Sequence, residues 1–558
     1  MSDFALGLIV DGRFVPAWAH ETIVRIEREE SVVVKVVIAV DRPDRRDRTP
    51  VGFRLYGAVD RRLFRTTPDA LEPRDIYPAL LDRDWIHTTP LRRGDHWELD
   101  DSVVDTLAAT TIRALANLTG LPFGGRVLDA LPGGIVAPEF GGSGPDPTFL
   151  GIRELRTNTP VHQQVSIDTA SGRKQATGAV STASHPWSLR VTQNRVLWEM
   201  AEQLHRALLA LEAEDVATTP SPDRPALRSS PETPTSVPPR PAAPSSRELT
   251  SLVAEVGTRG LRRSVERLLA RERWVIGYRR ISSSSPSFTE PGGYQVVLPP
   301  PGHFYADPFL LERDGRHYLF FEDYRYASKK GVIACAELTD DGPASPPQPV
   351  VERSHHLSYP CVFEHRDSVY MIPESSGGNA VMLYRAASFP WLWEDMGELI
   401  PDIRAFDVTV LSLPEMLWLF ACVGPPGAST SNQLYLFSSH DLSGPWRPHP
   451  GNPVVADVRC ARPAGRLFDW NGQLVRPAQD SSVRYGRSIS FRGIETIDEN
   501  DYRETEVGQL LPVWHPGILA THTYNFDSRY EVVDGLLRER RWPARQSPNG
   551  RLTEPARS

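Results

Sequence analysis

Acidic and basic side chains recur at comparable places in the second half of the chain. Three segments align without gaps at their heads: ADPFLLERDGRHYLFFED (306–323), SYPCVFEHRDSVYMIPESS (358–376) and FDVTVLSLPEMLWLFAC (406–422). The alignment places Asp307, Tyr359 and Asp407 at one position, at the start of an apolar run. A positioned carboxylate can accept or donate a proton during a reaction. Asp307 and Asp407 are therefore candidate catalytic residues.

Two looser copies extend this repeat to five. They are CARPAGRLFDWNGQLVRPAQD (460–480) and ATHTYNFDSRYEVVDG (520–535). The starts at positions 307, 359, 407, 462 and 522 lie 52, 48, 55 and 60 residues apart. A period of about 40 to 50 residues with several strands per unit is typical of a β-propeller. Five copies predict five blades, and the polar residues at the heads of the inner strands would meet in a central funnel.

Further candidates follow from the same repeat. Glu374 ends a second strand and is a third candidate catalytic residue. Five further charged residues are candidates for substrate binding. Arg462 and His522 stand at strand heads, Glu322 ends a second strand, and Arg476 and Asp480 follow Arg462 in the fourth copy.

The elements that must position these residues change type along the chain. Residues 219–246 hold nine prolines, which cannot join a helix interior or a central strand and so predict a solvated linker. Before the linker, apolar runs at 4–10 and 32–40 predict buried parallel strands. Helical spacing predicts helices over 16–29, 102–120 and 195–214.

After the linker, helical spacing resumes over 247–274 and then gives way to short strands. We expect a multidomain chain that combines an α/β N-terminal domain with an all-β five-bladed β-propeller. The expected parts are an α/β domain (1–214), a linker (215–247), a helical segment (248–274), the propeller (275–540) and a disordered tail (541–558).

Composition restricts the class of protein. A chain of 558 residues is too long for one ordinary core. A net charge of -8 gives no sign of a nucleic-acid-binding surface. No apolar run approaches the ~20 residues of a membrane helix. The four cysteines lack metal-site spacing, so we expect buried free thiols, no metal, no cofactor and a cytoplasmic location. Nothing indicates an oligomeric state.

The repeats resemble a known family. HFYADPFLL, YLFFEDY, KGVIACAEL, LSYPCVFEH, YMIPESS, FDVT, ARPAGRLF and RPAQD are similar to the propeller of the glucosamine inositolphosphorylceramide transferase family. That propeller is related to the five-bladed domain of family 43 glycoside hydrolases. The resemblance implies a base at Asp307 and a modulating carboxylate at Asp407. The expected acid of blade four is replaced by Arg462, so Glu374 or Glu322 would have to supply the proton.

The N-terminal half carries a second resemblance. IVDGRFVPAWAHETIVRI (9–26) and FRLYGAVDRRLFRTTPDALEPRDI (53–76) are similar to formyltransferase-like proteins, which bacterial relatives fuse to this propeller. We therefore expect a bacterial origin. In GGIVAPEFGGSGPDP (133–147), Glu139 and Phe140 stand where the family has a histidine, and no Asn-x-His triplet lies nearby. The resemblance implies a degenerate domain without formyl transfer.

Three functions remain open. An arginine in the funnel suits a phosphate or carboxylate, which favours glycosyl transfer from an anionic, nucleotide- or phosphate-linked sugar. A family 43-like hydrolase with a displaced acid is the first alternative. A non-catalytic sugar-binding or scaffold protein is the second. The expected partner is a sugar or sugar-nucleotide substrate, with no nucleic acid and no integral membrane segment.

Overall fold

The computed structural model describes residues 4–41, 50–141, 147–216, 245–281 and 292–540. Within these ranges the chain forms an α/β part before residue 217 and a β-propeller after residue 269. The predicted fold class is therefore confirmed. The predicted linker and tail lie largely outside the described residues, and the domain boundaries stay predictions.

The N-terminal part is built around one sheet with a parallel centre. Its elements follow in chain order: β1 Phe4–Val10, β2 Phe14–Pro16, α1 Ala17–Ile26, β3 Val32–Val40, α2 Val51–Leu63, β4 Pro73–Asp75, a 3₁₀ turn Tyr77–Ala79, β5 Asp84–Thr88, β6 Leu91–Arg93, β7 His96–Glu98, α3 Asp101–Ala108, β8 Ala114–Asn117, α4 Val127–Ala130, β9 Ile135–Phe140, α5 Ile152–Thr157, β10 Val161–Thr169, β11 Gly172–Gln175, β12 Val180–Thr182 and α6 Leu189–Val216.

The order of this sheet is β11-β10-β9-β8-β1-β3-β5, with β12 also paired to β10. Strands β5, β3, β1, β8 and β9 are parallel, and β10 is antiparallel to β9. Every residue of β1 is buried, as a continuous apolar run predicts for a strand covered on both faces. Leu6 and Leu8 belong to the core on the side of α1 and α6, and Ile9 belongs to the core on the side of α3.

Two predicted helices of this part are confirmed and one is partly wrong. Helices α1 and α6 form where helical spacing predicts them. The helix predicted over 102–120 ends early, because α3 stops at Ala108 and strand β8 follows from Ala114 to Asn117. Strand β8 is buried along its whole length, and its pairing with β1 places it in the sheet centre. Tertiary pairing therefore outweighs helical spacing here.

The connecting helix is shorter than the sequence predicts. Helix α7 spans Ser246–Leu269, and a capping box of Ser245 and Glu248 fixes its start. Strands β13 (Ala270–Arg280) and β14 (Gln295–Val297) follow and already belong to the propeller.

The propeller contains five sheets of successive antiparallel strands. The first blade holds β15 His303–Arg313, β16 Arg316–Arg325, β17 Lys330–Thr339, β18 Gly342–Pro343 and β19 Gln348–Val351. The second holds β20 Ser358–His365, β21 Ser368–Glu374, β22 Val381–Ser388 and β23 Leu392–Ile400, with a 3₁₀ turn at Ser376–Gly378. The third holds β24 Ala405–Ser412, β25 Leu417–Val423, β26 Leu434–Ser439 and β27 Arg447–Pro448. The fourth holds β28 Phe468–Trp470, β29 Gln473–Asp480, β30 Ser488–Ile497 and β31 Tyr502–Leu510.

The fifth blade closes the ring by combining both ends of the propeller. It contains β32 Tyr524–Phe526 and β33 Tyr530–Arg540 from the end, and β14 and β13 from the beginning, in the order β14-β13-β33-β32. Strands β13 and β33 pair over their whole lengths, from Ala270 with Arg540 to Arg280 with Tyr530. Closure of this kind removes the exposed edges that an open sheet would leave. The four cysteines are buried free thiols, as predicted.

Helix α6 and strand β12 join the N-terminal part to the propeller through buried polar contacts. The Ser429 amide donates to Glu199 Oε1 at 3.0 Å, and Asn432 Nδ2 donates to Thr182 Oγ1 at 2.8 Å. The Ser181 amide donates to Ala456 O at 2.9 Å. Buried hydrogen bonds of this kind leave costly unpaired groups when they are broken. The two parts therefore form one continuous structure.

No helix among the described residues is long and apolar enough to span a membrane.

Limited proteolysis provides a test of this organisation. We expect early cleavage within about residues 215–247, in the proline-rich segment, to give two fragments on a denaturing gel. Because Glu199 and Thr182 make buried contacts with the propeller, the two fragments should still elute together from a native sizing column. Fragments that elute separately, or early cleavage throughout 300–540, would contradict the interface or the closed ring respectively.

Candidate active site in the propeller funnel

The inner strands of the first three blades share a local distortion at their heads. Asp307, Tyr359 and Asp407 all have left-handed backbone conformations, with φ of 53°, 43° and 53°. At each of them the strand register skips residues, which is a β-bulge. Left-handed backbone is unusual in a residue other than glycine and persists only where the surroundings hold it. The equivalence that the sequence alignment predicts for these three residues is confirmed by the backbone.

Asp307 belongs to a group of charged residues that joins the first and fifth blades. Its Oδ1 lies 3.2 Å from His522 Nε2 and accepts a hydrogen bond from Thr523 Oγ1 at 2.8 Å. Its Oδ2 accepts from the Tyr359 amide at 3.2 Å. On the other side of the imidazole ring, His522 Nδ1 lies 2.8 Å from Asp534 Oδ2.

The charge of His522 follows from these neighbours. Burial opposes a charged imidazole, but the carboxylates of Asp534 and Asp307 outweigh burial and raise its pKa to about 10. His522 is therefore an imidazolium between two carboxylates at neutral pH. We call Asp307, His522 and Asp534 the histidine triad.

The histidine triad also places three potential metal-ligand atoms within 4.8 Å of one another. Both nitrogens of the ring face carboxylates, however, and a metal would have to displace the proton that the two acids favour. The arrangement therefore suits a protonated imidazole better than a metal ion.

A second group of charges joins the second, third and fourth blades. Arg462 Nε donates to Asp407 Oδ2 at 2.6 Å, and Arg462 Nη2 donates to Asp407 Oδ1 at 3.1 Å and to Glu374 Oε2 at 3.2 Å. Gln479 Nε2 adds a hydrogen bond of 2.6 Å to Asp407. We call Glu374, Asp407 and Arg462 the arginine triad. All three side chains are almost completely buried.

The donors of Arg462 are occupied inside the protein. Its Nη1 donates to Thr430 O at 3.1 Å and reaches Thr430 Oγ1 at 3.4 Å, which completes five hydrogen bonds from its guanidinium. A guanidinium has five N–H donors. The aromatic rings of Phe406 and Tyr485 lie 5.4 Å from its Cζ. Arg462 therefore lies in the funnel as predicted, but in this geometry no donor is left for the anion of a ligand.

Glu322 lies in the same funnel without a cation of its own. Burial, and then repulsion by Asp307, raise the pKa of its carboxyl well above the usual range. Its Oε1 has no hydrogen-bond partner among the described residues and lies 3.4 Å from His356 Nε2. The Gly331 amide donates to His356 Nδ1 at 3.0 Å, so a neutral His356 carries its proton on Nε2. These surroundings favour the protonated form of Glu322.

The structure separates two predicted residues from this cluster. Arg476 is fully buried and donates to Glu504 and to Cys460 O, so it faces the outer part of its blade. Asp480 accepts from the Ser482 amide at 2.9 Å and from Arg487 at 3.1 Å, which stabilises a turn. The remaining six candidates lie together: Asp307, Glu322, Glu374, Asp407, Arg462 and His522. Their catalytic and binding roles stay predictions.

Two residues of the site were not predicted. Asp534 holds His522, and it directly follows two apolar residues of β33, as Glu322 and Glu374 follow apolar residues of β16 and β21, so the repeated second strand carries the signal. Tyr359 occupies the position of Asp307 in the next blade. Its hydroxyl accepts from the Gly465 amide at 2.7 Å and bonds Thr409 at 2.9 Å, so it joins three blades.

Comparison with known proteins concerns this propeller. Residues 295–519 match the family described as Glucosamine inositolphosphorylceramide transferase 1, N-terminal. The propeller resembles that family, as its motifs predicted. Proteins named glucosamine inositolphosphorylceramide transferase 1 are 32% identical over 238 residues in Oryza sativa subsp. japonica and 35% identical over 211 residues in Arabidopsis thaliana.

These alignments cover 42% and 37% of this chain but only 31% and 28% of the plant relatives. The chain thus matches about three tenths of their length. Because both relatives are plant proteins, they give no support to the expected bacterial origin.

Solved structures similar to the chain include the catalytic domain of an α-L-arabinofuranosidase of family 62 from Coprinopsis cinerea. It has 11% identity and a TM-score of 0.31, covering 47% of this chain and 97% of that one. A thermostable family-43 glycoside hydrolase has 12% identity and a TM-score of 0.29, covering 37% and 76%. With such low scores, the five-bladed fold rests on the strand pairing itself.

The formyltransferase resemblance of the N-terminal part stays a prediction. Glu139 lies on β9, is buried, and accepts a hydrogen bond of 2.7 Å from Gln164. At the end of the neighbouring strand β8, Asn117 Oδ1 accepts from the amide and hydroxyl of Thr119. Glu139 is thus paired with Gln164, and Asn117 is paired with Thr119.

The histidine triad predicts how stability depends on pH. The pKa of His522 is raised from 6.5 to about 10 in the folded protein, so its charge stabilises the fold fully below pH 6.5. That stabilisation should be lost as the pH rises towards 10, by on the order of 5 kcal/mol. Urea unfolding of the wild type and of His522→Gln between these pH values measures it, and the difference between them should shrink with rising pH.

His440→Gln, at an exposed position of the third blade, is the matched control and should leave the pH profile unchanged. Parallel pH profiles for the wild type and His522→Gln would contradict the charged triad.

Proposed function

We propose that the protein catalyses glycosyl transfer in the propeller funnel, from a sugar linked to a phosphate group. The observation that carries this proposal is the pairing of two carboxyl groups in different states. Asp307 faces the imidazolium of His522, whereas burial and the charge of Asp307 raise the pKa of Glu322 and favour its protonated form. Two acids in such different surroundings could supply a base and an acid in one site.

The roles follow from these states. Asp307 is the candidate base that accepts the proton of an acceptor hydroxyl. Glu322 is the candidate acid that protonates the leaving group, which supplies the function that Arg462 cannot provide at the head of the fourth blade. Asp407 and Glu374 are fixed by Arg462 and would orient the sugar.

The charge of the funnel supports glycosyl chemistry. Each triad contains two carboxylates and one cation, so each carries a net negative charge. Transition states of glycosyl transfer resemble an oxocarbenium ion, in which positive charge develops on the sugar. Fixed negative charge around the sugar would stabilise that state. The same charge would repel a phosphate, so we place the anionic group of the donor outside the triads.

Hydrolysis is the second candidate function. A protonated Glu322 restores the acid whose absence made hydrolysis less attractive, and water could replace the acceptor hydroxyl. Measuring thermal shifts with nucleotide sugars and with free glycosides distinguishes the two, because ligands stabilise the folded protein by mass action. Stabilisation by nucleotide sugars alone would favour transfer, and stabilisation by glycosides alone would favour hydrolysis.

Glu322→Gln tests the acid directly. Glutamine has the size and neutrality of the protonated acid but cannot release a proton to a leaving group. We expect the melting temperature to be unchanged or raised and the turnover of the substrate found in the screen to fall by ~100-fold or more. Glu364→Gln, at an exposed position of the second blade, is the control and should keep full activity. Normal turnover by Glu322→Gln would rule out this role.

Asp307→Asn tests the base. We expect turnover to fall by ~100-fold or more, since asparagine cannot accept the proton. The melting temperature should also fall, because the charged His522 loses one of its two carboxylate partners. Activity must therefore be measured well below the melting transition, with folding checked by circular dichroism. Full activity in the folded variant would contradict the assignment.

A further inference from the structure

A second polar cavity lies between the N-terminal part and the propeller, beside the funnel. Its volume is about 340 Å³, within the range of small-molecule sites. Residues 183–186 and Arg195 of the N-terminal part form one wall, and residues 428–431, Val458, Ser481 and residues 483–485 form the other. Both parts of the chain are therefore needed to build it.

Two arginines from opposite walls face this cavity without a partner. In the part of the chain that the structure describes, Arg195 and Arg484 make no hydrogen bond or ion pair within the protein. The cavity lining contains no aspartate or glutamate. Glu199 is the acid that lies nearest to Arg195 along α6, but it bonds Thr182, Gln163 and the Ser429 amide instead.

Both guanidinium groups lose hydration at this position. Burial is the largest influence on each, and it lowers the pKa of Arg195 and of Arg484 from the ordinary value. Two other buried arginines, Arg462 and Arg476, are paired with acids. Glu199 acts electrostatically on Arg195 and Glu272 on Arg484, but neither acid lines the cavity, so the two half-buried cations leave a positive site there that an anion would neutralise.

Neutral donors surround the two cations. The pKa of His185 is lowered to about 4 by burial and by Arg195, so its ring is neutral. The Trp187 amide donates to His185 Nδ1 at 3.3 Å, which leaves the proton on Nε2. Hydroxyl groups of the lining can also donate: Ser184, Ser429, Thr430, Ser431 and Ser481. Arginine pairs and hydroxyl donors are the groups that proteins use to bind phosphate oxygens.

The cavity adjoins the arginine triad. Thr430 lines the cavity and also accepts from Arg462 Nη1. Tyr485 lines it too, and its ring lies 5.4 Å from the guanidinium of Arg462 and 5.1 Å from the ring of His522. Tyr485 therefore contacts the positive cavity and residues of both triads.

We propose that this cavity is a binding site for a phosphate ester or diphosphate, held by Arg195 and Arg484 together. The proposal deepens the proposed glycosyl transfer, on which its role in catalysis rests, by placing the phosphate of the donor in the cavity and the sugar in the funnel. Binding of the phosphate itself does not require that the chemistry takes place.

Titration calorimetry of the full chain with inorganic pyrophosphate tests the site. The wild type should bind, and binding should weaken with rising salt. Arg195→Gln and Arg484→Gln should each weaken binding by about 10-fold or more, as expected for lost charge-assisted hydrogen bonds. Arg503→Gln removes a paired, exposed arginine from the outer strand of the same blade and should bind normally.

The melting temperatures of the same variants separate a binding role from a structural one. Because Arg195 and Arg484 have no described partner, their replacement should leave the ligand-free melting temperature unchanged or raise it. The stabilisation by pyrophosphate should disappear. Absence of saturable binding in the wild type, or unchanged binding in the double variant Arg195→Gln with Arg484→Gln, would overturn the proposal.

Two sources could supply the phosphate, and two further titrations distinguish them. Displacement of pyrophosphate by uridine diphosphate indicates a soluble nucleotide, and displacement only by phosphatidylcholine vesicles containing phosphatidylinositol indicates a lipid headgroup. Asp307→Asn should retain pyrophosphate binding. If the arginine variants lose pyrophosphate binding while no glycosyl transfer is found, the phosphate site stands and the proposed reaction fails.

Discussion

Charge pairing inside the funnel is the constraint on which the rest of the propeller depends. Buried carboxylates need a cation or a proton, and the propeller meets this need with two triads built across blades. One joins the first and fifth blades through His522, and the other joins the second, third and fourth blades through Arg462. Burial and the charge of Asp307 raise the pKa of Glu322 instead, which favours its protonated form. The two triads therefore link the blades of the propeller and give the acids of the funnel different surroundings.

The repeated bulge explains how these side chains reach one another. A regular strand would direct alternate side chains to its two faces, towards the neighbouring blades. The left-handed residue at the head of the strand turns its side chain away from both faces, and the cross-blade contacts of Asp307, Tyr359 and Asp407 show the result. At the fourth blade Pro463 bridges Ala478 near the same position, and Arg462 reaches back to Asp407. The bulge is therefore the structural basis of the site.

The sequence predicted the propeller and most of its funnel because both are periodic. A repeated aspartate at a strand head identifies a funnel position without knowledge of its partners. For a charged residue that is not at a strand head, its partners decide whether it faces the funnel. Those partners lie far away in the sequence. Arg476 therefore looked like a binding residue although Glu504 pairs with it on the outer part of the blade. Helical spacing predicts a helix across β8, because local spacing carries no information about the long-range pairing of β8 with β1.

Tyr485 contacts both the positive cavity and the negative funnel, and this proximity requires both halves of the chain. Neither Arg195 nor Arg484 can form the cavity alone, since one belongs to α6 and the other follows β29. Helix α6 is positioned by contacts of Glu199 and Glu202 with the third blade, one and two turns beyond Arg195. A donor that joins a sugar to a phosphate has the same division of charge, with positive charge developing on the sugar and negative charge on the phosphate. A positive cavity next to a negative funnel would therefore align such a donor, with its phosphate in the cavity and its sugar in the funnel.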